Sequence, residues 1–92
     1  MTNSPFRKPD SVLVQTVDQE MILLNLDTEK YFAIDDVGLR FWNVLLEVGT
    51  VDGSLAVLES EFDVDRATLD RDLRAFVGRL RDHGLLSGGP QD

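Results

Sequence analysis

Cysteine is absent from all 92 residues. That single absence excludes disulfides, thiolate metal sites and cysteine nucleophiles. It fits a reducing compartment. Histidine occurs once, at His83, so a nitrogen-rich metal site cannot be assembled and a nucleophile–base pair would have a single candidate base. No apolar run approaches the roughly 20 residues of a membrane span, and Met1 to Asp10 lacks the apolar stretch of a signal peptide. A cytoplasmic protein with no membrane partner is therefore expected. Positive charge is scarce too: 9 Lys and Arg stand against 17 Asp and Glu, a net charge of −8. Nucleic-acid affinity comes largely from cationic contacts, so this balance argues against a nucleic-acid partner. There is no Gly-x-Gly-x-x-Gly and no phosphate loop. Asp63, Asp65 and Asp70 match a metal-loop pattern only loosely, without the glycine expected after the third ligand. No catalytic residue, metal or cofactor is expected.

What is present is one small domain of ordinary apolar content, too short to enclose a deep cavity. Ser11 to Val17 is β-prone, with Val12, Val14 and Thr16 on one face and Leu13, Gln15 and Val17 on the other. After a turn at Asp18-Gln19, Glu20 to Leu26 places Ile22, Leu24 and Leu26 on one face and Met21 and Leu23 on the other. Apolar on both sides, it reads as a central strand. Asp27-Thr28-Glu29 is the next turn, and Lys30-Tyr31-Phe32-Ala33-Ile34 is a third strand. Short turns make this an antiparallel meander with strands one and three at its edges.

The rest reads as helix. Asp35-Asp36 caps the first, with Val37, Phe41, Leu45 and Val48 on one side, broadened by Leu39, Trp42 and Leu46; Gly49 stops it. Thr50 caps a second helix with a stripe of Val51, Leu55, Leu58 and Phe62. Asp65 caps a third, running to about His83, with Leu69, Leu73, Phe76, Val77 and Leu80 as its stripe. Gly84 closes it, and Leu85-Leu86 folds back onto the core. The fold class is α+β: a three-stranded antiparallel sheet followed by three helices, similar to a winged helix-turn-helix. Residues 1–10 read as a flexible N-terminal tail, 11–87 as the domain and 88–92 as a C-terminal tail.

Such an arrangement invites a DNA-binding reading, with the last helix in the major groove. That helix carries Arg66, Arg71, Arg74, Arg79 and Arg81, but Asp65, Asp70, Asp72 and Asp82 interleave with them. A solvated helix laced with local ion pairs explains the pattern better. His83 sits where a helix should end, which suits the last carbonyls. The third strand has no evident partner on one edge, and an open edge invites another strand. The rival possibility is that the chain's own tail covers it.

Three pieces of the sequence resemble the PqqD-like family, the RiPP recognition elements. They are Asp27-Thr28-Glu29-Lys30-Tyr31-Phe32-Ala33-Ile34 leading into Val37-Gly38 and Trp42; Phe62-Asp63-Val64-Asp65; and Leu69 with Asp72, Phe76 and Leu80, ending in Gly84-Leu85-Leu86. Asp35 stands where the family often has asparagine, and Glu47-Val48-Gly49 replaces the Cys-Asp-Gly of the pyrroloquinoline quinone chaperone. The likeness is greatest to the free-standing leader-binding protein of lasso peptide biosynthesis. It implies that the leader of a ribosomally made precursor adds as a strand to Lys30–Ile34, beside the third helix, and is delivered to a separate leader peptidase and the macrolactam cyclase. On that reading Tyr31, Phe32 and Ala33, within Lys30 to Ile34, supply main-chain bonds. Leu69, Leu73 and Phe76 form an apolar floor, and Asp72 pairs with a basic leader residue. Val77 is an equal candidate for contact, because the sequence does not say which rim of the helix faces the strand.

Overall fold

The computed structural model describes residues 4–18 and 20–89. In chain order the elements are β1 (Ser4–Arg7), β2 (Val12–Val17), β3 (Glu20–Asn25), β4 (Lys30–Ile34), α1 (Asp36–Val48), α2 (Val51–Glu61), α3 (Arg66–Asp82) and β5 (Ser87–Gly89). The three expected strands form one antiparallel sheet in the order β2-β3-β4. Asp18 and Glu29 take left-handed φ angles of 56° and 60° at the two turns; Gln19 lies outside the described residues.

Register sets the two faces. Val12, Met21, Leu23 and Ile34 point inward and are buried, whereas Leu13, Gln15, Ile22, Leu24 and Tyr31 share the outer face. The inward face is covered unevenly: Phe32 and Ile34 of β4 are shielded, but Val14 and Thr16 of β2 remain exposed.

Asp35 caps α1, its Oδ1 accepting from the Gly38 N–H at 2.9 Å. The buried face of α1 is Gly38, Phe41, Trp42, Val44 and Leu45. Val37 and Val48 lie on the same side as these residues but stand in the first and last turns, where they are exposed. Gly38 lacks a side chain, which lets α1 close onto Ile34. A Cβ there would collide with Ile34 Cγ2 and stand 3.3 Å from the Phe76 ring. Gly38→Ala should gain about 1 kcal/mol of helix propensity but lose about 1–3 kcal/mol by overpacking against a stiff, branched neighbour. Net destabilisation is expected, read from the urea midpoint. A stabilised variant would mean that Ile34 moves aside without cost.

Thr50 caps α2, accepting from the Gly53 N–H at 3.1 Å, and Val51, Ser54, Leu55 and Leu58 are buried. Phe62 packs edge-on against Phe41 with centroids 5.9 Å apart, and Phe41 does the same to Phe76 at 5.6 Å. Arg40 clamps Glu61 through two hydrogen bonds of 2.8 and 2.6 Å, tying α1 to the end of α2. The Arg40 hydrogen bond holds the Glu61 carboxyl below its ordinary value. The tie is complete above the ordinary carboxylate range and is lost as acid titrates Glu61 through its lowered pKa.

All five expected apolar positions of α3 are buried. The helix ends in a left-handed Gly84 (φ 69°), with the Gly84 N–H donating to Arg81 O at 3.1 Å and the Leu85 N–H to Leu80 O at 2.9 Å. This pairing satisfies the last carbonyls and turns Leu85 and Leu86 into the core.

The expected tails need correction. Within residues 1–10, β1 is a strand that pairs antiparallel with β5, Ser4 opposite Gly89 and Arg7 opposite Ser87, and Phe6 is buried. The Phe6 N–H also donates to Gly49 O at 3.1 Å. Gly88 and Gly89 both have positive φ, and a Cβ on either would strike Pro5 or the Phe6 ring, so only glycine fits. Residues 1–3 and 90–92 of those tails lie outside the described residues.

Candidate functional site

β4 pairs with β3 along one side, and no described strand pairs with its other edge. Both terminal strands are engaged with each other instead, so among the described residues no tail covers this edge. β2 is the other edge of the sheet, but beyond the buried Val12 its inward residues Val14 and Thr16 are exposed. At β4, Phe32 and Ile34 reach the helical layer, so the free edge has a wall beside it.

Two contacts fix that wall. The Phe32 ring lies 4.3 Å from the His83 ring, centroid to centroid, at 42°. At the other end of the strand, Ile34 and Phe76 converge on Gly38. Asn25 locks the arrangement: its Nδ2 donates to His83 O at 2.8 Å while its Oδ1 accepts from the Asp27 N–H at 2.9 Å. One buried amide thus ties the β3–β4 turn to the end of α3. A polar residue on the inward face of a central strand was the available signal for Asn25. His83 ends the helix, as its sequence position suggests, and its ring also packs on Phe32.

The expected site residues divide into three groups. Lys30, Tyr31, Phe32, Ala33 and Ile34 form the edge strand. Tyr31, 70 % exposed, points to the outer face with Leu13, Ile22 and Leu24, around a shallow apolar depression, and not toward α3. Leu73 is completely covered and Leu69 nearly so, so they support a groove floor from beneath without offering surface. Phe76 and Val77 are also buried. Asp72 is exposed, with a loose contact of 3.7 Å to Arg71.

The arginines of α3 are largely occupied. Arg74 donates to Asp70 at 2.8 Å and Arg66 reaches Glu59 at 3.5 Å. Asp65, at the cap, has its carboxyl lowered chiefly by Thr68. Among the described residues no three His, Asp or Glu side chains converge as metal ligands, and no helix is long and apolar enough to cross a membrane.

Residues 20–86 match the family model for coenzyme PQQ synthesis protein D. The chain belongs to the PqqD family. Among solved structures, this PqqD-family chain is similar to TbiB1 in complex with the TbiA(beta) leader peptide, with 36% identity, a TM-score of 0.83, and 92% of this chain and 99% of that one covered. It is also similar to a lasso peptide synthetase B1 complexed with the leader peptide, at 26% identity and a TM-score of 0.82, covering 90% and 98%. No curated protein matches it.

Proposed function

We propose that this chain binds the leader segment of a ribosomally synthesised precursor peptide by strand addition to β4, and delivers it to the enzymes of lasso peptide maturation. The observation that carries this reading is the open β4 edge beside α3, in a PqqD-family fold that resembles two leader-bound B1 proteins. Strand addition draws affinity from main-chain hydrogen bonds and specificity from alternate side chains. The chain acts as a binding partner, in the cytoplasm, and the chemistry belongs to a separate leader peptidase and the macrolactam cyclase. A leader beside β4 leaves the apolar outer face of the sheet uncovered.

Titration of a fluorescein-labelled TbiA(beta) leader peptide, with duplex DNA as the competitor, tests the reading. Saturable peptide binding that survives added salt and is not displaced by DNA is expected. Tight DNA binding that collapses with salt would restore the winged-helix regulator instead.

A further inference from the structure

The leader-binding reading leaves open which rim of α3 the peptide meets, and the packing decides it. Each helical residue turns by about 100°, so Arg66 and Val77 fall on the same side of the buried stripe. Arg66 reaches Glu59 of α2 on that side, which places α2 there, and Val77 is accordingly buried. The opposite side carries Thr68, Asp72, Ala75, Arg79 and His83, at spacings of four, three, four and four. His83 touches Phe32 of β4, so this second rim runs along the edge strand. Asp72, Ala75 and Arg79 are exposed on it.

The rim has charges of opposite sign at its two ends. Arg79 is one turn before His83, whose carbonyl is held by Asn25, and Asn25 is paired across the ladder with Lys30. Asp82 lies farther round the helix and Glu29 belongs to the preceding turn, so Lys30 and Arg79 are the charges along the edge at this end. Asp72 is one turn before Phe76, at the Ile34 end, where Asp35 and Asp36 begin α1. Arg71 is the one basic side chain in contact with Asp72 among the described residues. Between the two ends, Ala75 has no side chain beyond Cβ and leaves a notch.

We infer that the leader lies across the Asp72–Ala75–Arg79 rim, with Arg79 selecting an acidic leader side chain at the Lys30 end and Asp72 a basic one at the Ile34 end. This rests on the leader-binding reading and removes Val77 from the contact surface. Arg79 becomes a specificity residue that the sequence stripe, drawn through apolar positions, passes over.

The test is anisotropy with the labelled TbiA(beta) leader peptide, on variants shown to be folded by circular dichroism. Arg79→Glu and Ala75→Trp should weaken binding by about fivefold or more, from a reversed charge and a filled notch. Arg74→Glu makes the same charge change on the far face, and Gly78→Trp adds bulk where a Cβ meets nothing within 4 Å. Both controls should stay within about twofold of the parent. Lysine in place of one acidic peptide residue should restore binding to Arg79→Glu. Equal losses in Arg79→Glu and Arg74→Glu, or full binding by Ala75→Trp, would overturn the rim assignment while the leader reading stands. Absence of binding by the parent protein both to this peptide and to the leader of the precursor encoded beside it would sink the leader reading and the rim with it.

Discussion

Phe76→Ala should lower the unfolding free energy by about 3–5 kcal/mol, the usual cost of emptying an aromatic core position. Phe76 is 6 % exposed, meets Phe41 edge-on at 5.6 Å and borders Gly38. Its ring therefore joins α3 to α1 at the point where β4 ends. A domain of this size has about 5–15 kcal/mol in total, so the variant should be marginal at room temperature. Urea unfolding measures it: the midpoint should fall with the slope unchanged. A loss below about 1 kcal/mol, well under the core range, combined with lost peptide binding would reassign Phe76 from core to groove surface.

A pair of prolines on β4 should give the second large effect. Neighbouring residues of an antiparallel strand direct their N–H groups to opposite edges, so Phe32 and Ala33 differ in what proline removes. One of Phe32→Pro and Ala33→Pro breaks the ladder to β3, leaves a buried carbonyl without its donor and should destabilise the fold by about 1–3 kcal/mol or more. The other deletes an N–H from the open edge and should spare the fold while weakening leader affinity by about tenfold. Phe32→Ala separates loss of the ring packed on His83 from loss of the N–H. Two folded proline variants that both bind the leader normally would remove β4 as the docking strand.

Local pattern was enough for the main elements. Leu69, Leu73, Phe76, Val77 and Leu80 recur at helical spacing and are all buried, and the two-sided apolar strand at Glu20 to Asn25 is central. Thr50, Asp35 and Gly49 act within a few residues of where they stand, so their capping roles were legible too. What escaped depends on partners far along the chain. Phe6 is buried by pairing with a strand more than 80 residues later, and the Gly88-Gly89 dipeptide looks like a tail until Pro5 and Phe6 are packed against it. Val37 and Val48 fit the apolar spacing but are exposed in the end turns of α1, whereas the close approach to Ile34 is made by Gly38, which carries no hydrophobic signal. The site was half legible for the same reason. An open strand edge follows from element order, but the choice between the Asp72 and Val77 rims needs the position of α2. The pairing of His83 with Phe32 needs Asn25 to hold the end of α3.

The ribbon of β1 and β5 has a practical meaning for assembly. Ser4 stands opposite Gly89, so a polypeptide appended before the first strand or after the last departs from one place. That place adjoins Gly49, at the C-terminal end of α1, while β4 leads into the other end about 20 Å away along the helix. A fused enzyme or a tether at either terminus would share one anchor point. It would hold its cargo at high effective concentration without crossing the edge strand. The same geometry lets a short linker join the two ends.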